Sequence, residues 1–214
     1  SSLAPWNFEK REVGAHDVQF DINYCGVCHS DLHQIRNEWF PGIFPMVPGH
    51  EVVGKVTKIG GAVKKFKVGD LVGVGCLVDS CRGCENCKQG LEQYCTVGAV
   101  PTYNGMGKDS LPTYGGYSNI MVVHEDFTLR ISEKISLAAA APLLCAGITT
   151  YSPLRHWKIG KGHRLAVLGL GGLGHMAVKF GAAFGAEVTV LSTSASKEAE
   201  AKKLGAHKFV LTSD

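Results

Sequence analysis

The feature that most constrains this chain is a group of four cysteines within fifteen residues. Cys81, Cys84, Cys87 and Cys95 follow the spacing C-x2-C-x2-C-x7-C. Four thiolates from one loop can complete the tetrahedral shell of a metal ion, which is typical of structural zinc. Two disulfides or an iron–sulfur cluster are the alternatives, although ferredoxin-type spacings end differently. The spacing therefore predicts a loop closed by zinc.

Composition and charge limit the class of protein. Of the 214 residues, 45% are hydrophobic and 19% are charged, which excludes a disordered or low-complexity chain. The net charge is only +3 and no basic run exceeds a Lys-Lys pair, so we expect no nucleic-acid or membrane partner. The longest apolar stretch, residues 137–148, is too short to span a bilayer, and the N-terminus lacks the pattern of an export signal. We therefore expect a cytoplasmic protein with reduced cysteines.

The first half of the chain has the pattern of consecutive strands. Residues 52–61, 68–74 and 115–123 are β-branched or apolar runs punctuated by glycines. Because no helical pattern separates these runs, they favour an antiparallel or barrel-like domain.

The second half alternates helices with strands. Residues 137–150 are alanine-rich and follow Ser136, which predicts a capped, buried helix. Beyond it, strands and helices alternate over residues 164–168, 175–184, 187–191, 197–204 and 208–211. This order predicts a Rossmann doubly wound parallel sheet, of which only the first half is present.

A glycine-rich turn joins the first predicted strand to its helix. The turn comprises Gly169, Leu170, Gly171, Gly172, Leu173 and Gly174. In such a turn the first glycine permits the tight bend, the second lets a pyrophosphate approach, and the last allows close packing of helix on strand. The helix N-terminus then offers N–H groups to the anion. All of these residues except Leu170 are therefore candidate dinucleotide-binding residues.

The end of the second predicted strand indicates which dinucleotide binds. Ser192, Thr193, Ser194 and Lys197 stand where an NAD enzyme usually has an acidic residue. Hydroxyls and a cation suit the 2′-phosphate of NADP(H), which an acid would repel. The alternative is that these residues only cap the following helix.

A second set of metal ligands is scattered along the chain. Cys28, His50 and Cys145 provide two thiolates and an imidazole from three separate places. Taken singly, each would more often be an ordinary core or surface residue. Together they form the Cys2His set that leaves a fourth zinc position open for a substrate.

The motifs, in their order, resemble those of zinc-dependent medium-chain alcohol dehydrogenases. They are residues 25–31 (CGVCHSD), 49–51 (GHE), the four-cysteine loop, 142–147 (PLLCAG) and the glycine turn. The match looks closest to cinnamyl alcohol dehydrogenases and microbial NADP-dependent aldehyde reductases. The resemblance implies a mixed α/β chain, with a chaperonin-10-like (GroES-like) catalytic domain over residues 1–145 and the truncated Rossmann domain over residues 146–214. It also implies a longer protein whose unseen part forms a homodimer.

The resemblance assigns roles around two zinc ions, one structural and one catalytic. Cys28, His50 and Cys145 match the catalytic ligands. Glu51 matches the carboxylate that approaches the metal as an alternate ligand, and Asp31 matches the acid that orients His50, a partner that zinc-bound histidines generally have.

The same resemblance implies a proton path and a reaction. Ser30 and His33 match the proton relay, and His29 matches a contact to the cofactor pyrophosphate. The expected reaction interconverts primary alcohols and aldehydes with NADP(H), mainly as aldehyde reduction. The alternatives are an NAD-dependent polyol dehydrogenase and a non-enzymatic module that binds zinc only at the four cysteines.

Two further features concern the substrate. Residues 96–102 lack the tryptophan that plant cinnamyl alcohol dehydrogenases carry there, which weakens an expectation of lignin precursors. Trp39 and Phe40 follow the relay and are candidates for the substrate pocket, although we expect at least one of them to be core.

Overall fold

The computed structural model describes residues 3–212. The chain divides into two compact units between Leu144 and Cys145, while the predicted division falls after residue 145. Within the described residues no single helix has the length and apolar composition to cross a membrane, and one bent pair, Leu137–Leu144 with Ala146–His156, meets both criteria only jointly.

The first unit is built mainly from antiparallel strands. Its strands are β1 (Asp17–Cys25), β2 (Val52–Ile59), β3 (Leu71–Val74), β4 (Leu77–Asp79), β5 (Val100–Pro101), β6 (Ile120–His124) and β7 (Leu129–Arg130). Its α-helices are α1 (His29–Ile35), α2 (Glu85–Lys88) and α3 (Leu137–Ala140), and its 3-10 turns are Glu92–Tyr94, Glu125–Phe127 and Ala141–Leu144.

A five-stranded sheet forms the core of this unit. The strand order is β6-β1-β2-β3-β7, every pairing is antiparallel, and β4 pairs with β5 in a separate ribbon. Val18 and Phe20 of β1 alternate along the strand, so they point to one face, where they pack with Val52, Val72 and Val74. The predicted antiparallel first domain is confirmed.

Several predicted boundaries in this unit are wrong. No element was predicted before residue 52, yet β1 carries the alternation Val18, Phe20 and Ile22 that identifies a half-buried strand. Strand β3 begins at Leu71 rather than residue 68, because Gly69 turns the chain with φ +95°. Strand β6 begins at Ile120 rather than residue 115, so the glycine pair lies in a loop.

The helix predicted over residues 137–150 is interrupted. Ser136 caps α3 as expected, its hydroxyl accepting from the N–H of Ala139 at 3.3 Å. The chain then tightens into the 3-10 turn that contains Pro142, which has no N–H to donate to a helix. Cys145 has non-helical angles, φ −126° and ψ −72°, and a new helix starts directly after it.

The second unit is a parallel α/β structure. Its elements are α4 (Ala146–His156), β8 (Arg164–Leu168), α5 (Gly172–Ala183), β9 (Glu187–Ser192), the 3-10 turn Ala195–Lys197, α6 (Glu198–Leu204) and β10 (Lys208–Leu211). The strands are parallel in the order β10-β9-β8, which is the first half of a Rossmann sheet. Helix α5 begins at Gly172, three residues before its predicted start, so the end of the glycine turn belongs to the helix.

Candidate metal centres and cofactor site

The four-cysteine loop has the dimensions of a zinc site. Sγ of Cys87 lies 3.8 Å from Sγ of Cys81 and 3.4 Å from Sγ of Cys84, and all four sulfurs lie within 4.8 Å of one another. Sulfurs about 2.3 Å from a tetrahedral zinc stand about 3.8 Å apart, whereas a disulfide needs about 2.05 Å. Across residues 3–212 none of the eight cysteines forms a disulfide. The disulfide alternative is therefore wrong, and the donor set fits zinc.

Backbone N–H groups favour the ionised form of Cys84 and Cys95, whereas burial and the neighbouring thiols raise the pKa of Cys87 to about 11. The N–H of Cys84 donates to Sγ of Cys81 at 3.2 Å, and the N–H of Cys81 donates to Sγ of Cys95 at 3.4 Å. Backbone N–H groups of Cys87 and Thr96 lower the pKa of Cys84 to about 5. Thiolates are the form that binds a metal, so the lowered pKa of Cys84 favours metal binding at this position of the loop.

The second predicted ligand set also converges. The ligand atoms of Cys28, His50 and Cys145 all lie within 4.8 Å of one another. Cys28 caps the N-terminus of α1, and His50 stands two residues before β2. Cys145 directly follows Leu144, which is buried in the first unit against Val53, so its covalent neighbour holds it near the other two ligands. One imidazole and two thiols leave a tetrahedral ion with an open position.

A buried carboxylate organises two of these ligands. Asp31 is 2% exposed and accepts four hydrogen bonds. Its Oδ1 accepts from the N–H of Gly49 at 3.1 Å and from Nδ1 of His50 at 3.2 Å. Its Oδ2 accepts from the N–H of Cys28 at 3.0 Å and from the hydroxyl of Tyr117 at 2.8 Å.

These bonds determine which nitrogen of His50 faces a metal. Although burial opposes it, donation from His50, Cys28 and Tyr117 lowers the pKa of Asp31 to about 2, so the carboxylate is ionised and only accepts. Nδ1 of His50 must then donate, which leaves the Nε2 lone pair for a metal ion. The ring of Tyr103 stacks on the imidazole at 5.7 Å and limits its rotation. Asp31 thus lies where an orienting acid is needed.

Glu51 is close to this centre but is not part of the ligand cluster. It is 3% exposed, and a Cβ added to Gly26 would meet its Oε2 at 1.9 Å. Among the described residues the three-atom cluster does not include its carboxylate. Its role as an alternate ligand stays a prediction.

The predicted relay residues share helix α1. Ser30 is the second residue of the helix, and its Oγ lies 3.4 Å from Sγ of Cys28. Nδ1 of His33 bonds Oε2 of Glu38 at 2.5 Å, and its ring stacks on Trp39 at 4.7 Å. In the part of the chain that the structure describes, Ser30 and His33 are not hydrogen-bonded to each other, so the relay stays a prediction.

Aromatic side chains lie on helix α1 and on the segment that follows it. The ring of His29 is 5.6 Å from that of His33. Trp39 is 50% and Phe40 64% exposed, so the expectation that one of them is core is wrong. Both are accessible to a ligand.

The glycine turn contains glycines of two kinds. Gly169 has φ +85°, and a Cβ on Gly174 would stand 2.0 Å from the carbonyl oxygen of Gly169, so the conformation and packing of the protein itself require both. A Cβ on Gly171 or Gly172 would meet nothing within 4 Å. The open backbone at the N-terminus of α5 therefore fits a ligand such as a pyrophosphate.

The end of β9 makes a local turn rather than a helix cap. Oγ of Ser192, which is 6% exposed, accepts from the N–H of Ser194 at 3.1 Å. Ser194 bonds Oγ of Ser196 at 2.9 Å and makes no side-chain cap bond, while Thr193 is exposed. Nζ of Lys197 donates to the carbonyl oxygen of Leu170 at 3.0 Å, which brings its positive charge to the glycine turn.

Sequence reasoning missed Tyr117 and Tyr103. Asp31 and Tyr117 are 86 residues apart in the chain, so no local pattern connects them. The one available signal was the pair Gly115-Gly116, which was assigned to a strand but marks a close approach of two backbones.

The fold and the sites identify the family. Residues 14–133 match the profile of the alcohol dehydrogenase GroES-like domain, so the chain belongs to this family. Together with its motifs and relatives, the match places the chain among the zinc-dependent medium-chain alcohol dehydrogenases, in the cinnamyl alcohol dehydrogenase-like group. The family that the sequence motifs predicted is therefore confirmed.

Individual relatives show how far the similarity extends. The chain is 59% identical over 213 residues to NADP-dependent alcohol dehydrogenase C 1 of Mycolicibacterium smegmatis, covering 99% of this chain and 61% of that protein. A cinnamyl alcohol dehydrogenase structure from Sorghum bicolor matches with TM-score 0.96 and 51% identity, covering 100% and 61%. The Helicobacter pylori enzyme, solved with NADP(H), matches with TM-score 0.92 and 48% identity, covering 95% and 59%. The chain thus spans about three fifths of the length of these relatives.

Proposed function

We propose that the chain is the zinc-binding and first cofactor-binding part of an oxidoreductase that interconverts primary alcohols and aldehydes with NADP(H), mainly by aldehyde reduction. The observation that carries the proposal is the convergence of Cys28, His50 and Cys145 on one point, with His50 held by Asp31. A protein that bound zinc only in the four-cysteine loop would leave the second ligand set, with its open coordination position, unexplained.

In this proposal two metal ions have different tasks. Cys81, Cys84, Cys87 and Cys95 would hold a structural zinc and complete its shell. Cys28, His50 and Cys145 would hold a catalytic zinc which, when bound, would polarise a carbonyl or lower the pKa of an alcohol as a Lewis acid.

The glycine turn and the end of β9 would hold the cofactor. Gly171 and Gly172 leave the N–H groups at the start of α5 accessible to a pyrophosphate. Lys197 and the hydroxyls of Ser192, Thr193 and Ser194 supply the charge and donors that suit a 2′-phosphate. NADP(H), when bound, would give or take the hydride.

The residues of helix α1 would move the proton. Ser30, beside Cys28, would exchange a proton with the substrate oxygen, and His33 would exchange it with solvent. The two side chains are three residues apart on the helix, which places them on one face. Nδ1 of His33 is hydrogen-bonded to Glu38, so Nε2 remains available for the proton transfer.

Metal analysis of the full-length protein tests the proposal. We expect two zinc ions per chain, and about one after Cys28→Ala, because the four-cysteine loop closes independently. Cys76→Ala removes an exposed cysteine outside both clusters and should retain two. If Cys28→Ala keeps both zinc ions and full turnover in a panel of aldehydes with NADPH and NADH, the proposed catalytic site is wrong. Dimer formation and a cytoplasmic location stay predictions.

A further inference from the structure

A loop that is distant from His50 along the chain is hydrogen-bonded to the segment just before His50. The N–H of Gly115 donates to the carbonyl of Val47 at 2.7 Å, that of Gly116 to Gly49 at 2.9 Å, and that of Tyr117 to Pro48 at 3.0 Å. Three bonds over three residues hold this clamp, residues 115–117, against the chain just before His50.

The two glycines of the clamp are required by this close approach. A Cβ on Gly115 would stand 2.3 Å from the carbonyl oxygen of Gly49, and a Cβ on Gly116 would stand 2.4 Å from Cγ2 of Val52. Side chains at either position would push the two backbones apart. The glycine pair therefore allows the third residue of the clamp, Tyr117, to reach inward.

Tyr117 completes the set of donors around the carboxylate that holds the ligands. Its hydroxyl shares Oδ2 of Asp31 with the N–H of Cys28, while Oδ1 holds the N–H of Gly49 and Nδ1 of His50. With two donors on each oxygen, the carboxylate cannot rotate without breaking bonds to both ligand-bearing segments. Removing the hydroxyl would leave Oδ2 with one donor and change no charge.

We propose that Tyr117 is a positioning residue for the catalytic metal: its hydroxyl locks Asp31 in the orientation that holds Cys28 and His50 ready to bind zinc. The inference rests on the proposed function, because it requires zinc at the Cys28, His50 and Cys145 set. Tyr117 acts through Asp31, to which its hydroxyl donates. Mutation of a residue that supports the metal ligands by hydrogen bonds typically lowers metal affinity by 10- to 100-fold. We expect an effect of about tenfold for Tyr117→Phe.

The test is the release of zinc from the full-length, zinc-loaded protein to a chromogenic chelator. Tyr117→Phe should release one of its two zinc ions about tenfold faster than the wild type, and the other, from the four-cysteine loop, at the wild-type rate. Tyr114→Phe is the matched control: it removes a hydroxyl from the same segment, where the ring packs on Trp6 and Phe8. Both zinc ions of that variant should leave at wild-type rates.

Two further measurements separate positioning from general stabilisation. Cobalt bound in place of the catalytic zinc should show a shifted visible spectrum in Tyr117→Phe and an unchanged spectrum in Tyr114→Phe. In a double-mutant cycle, adding Tyr117→Phe to Asp31→Asn should accelerate release by less than twofold, because the hydroxyl acts only through the carboxylate.

Unchanged release and an unchanged cobalt spectrum in Tyr117→Phe would overturn the inference. Faster release from both sites, with lower thermal stability, would also overturn it, because the hydroxyl would then only support the fold. A wild-type protein that binds a single zinc would instead refute the proposed function, and this inference with it.

Discussion

The glycine turn offers a pair of substitutions that separates packing from cofactor binding. Gly171→Ala adds a methyl group where no protein atom lies within 4 Å, and φ −102° at this position suits alanine. Gly174→Ala, three residues later in the same turn, places the same group 2.0 Å from the carbonyl oxygen of Gly169. We expect opposite effects on the stability of the protein.

The magnitudes follow from these contacts. Ordinary van der Waals contact begins near 3.4 Å, so Gly174→Ala must displace the backbone and should cost about 2 kcal/mol or more. Gly171→Ala restricts the unfolded chain without strain and should leave the free energy of unfolding unchanged or raise it by about 0.5 kcal/mol. Its methyl group would nevertheless occupy the space of a pyrophosphate, so the Kd for NADPH should rise at least about tenfold, which corresponds to about 1.4 kcal/mol.

Two assays on the full-length protein measure these effects. Urea unfolding yields the free energies of unfolding, and the fluorescence of bound NADPH yields the Kd. A Gly171→Ala protein that binds NADPH with wild-type affinity would show that no ligand approaches this backbone. A Gly174→Ala protein as stable as the wild type would contradict the packing argument.

Three other predictions concern cofactor choice, proton transfer and pH. Ser192→Asp keeps an acceptor for the N–H of Ser194 but adds a negative charge, so kcat/KM should shift from NADPH toward NADH; a wild type that prefers NADH would contradict the interpretation. Ser30→Ala should lower kcat about a hundredfold with both zinc ions retained, and Ser30→Thr should stay active; near-normal turnover of the alanine variant would exclude the relay. Although burial opposes it, N–H groups of Lys64 and Lys65 and the ring of His16 lower the pKa of Glu125 from 4.5 to about 2, so its stabilisation is full above pH 4.5 and is lost as pH falls toward 2. After allowance for solvent screening, ionised Glu125 should contribute about 2 kcal/mol to the free energy of unfolding. Urea unfolding measured between pH 4.5 and 2 should show this loss of stability in the wild type and not in Glu125→Gln.

Most of the correct predictions came from the spacing of residues within one contiguous segment. The four sulfurs come from one loop, so their separation along the chain already determines that they can meet. The same holds for the glycine turn, where strand, bend and helix are contiguous. Short apolar runs identified the parallel strands of the second unit almost to the residue, because each run is bounded by glycines or a helix.

Boundaries failed where a distant contact overrode the local pattern. Residues 115–119 have the apolar and small residues of a strand, but the first three of them bond to Val47, Pro48 and Gly49 instead of entering the sheet. The alanine-rich segment after Ser136 reads as one helix, yet it breaks at Cys145. The break falls at the residue predicted to be the third zinc ligand.

The sequence by itself determined the donor types, the motif order and the family, since these depend on residue identity and spacing along the chain. Only the tertiary structure decided that Asp31 holds His50 by Nδ1, that Tyr117 reaches the same carboxylate from 86 residues away, and that Lys197 turns toward the glycine loop. Hydrogen bonds depend on distances of tenths of an ångström between segments that the sheet brings together, and no pattern within a single segment encodes such distances.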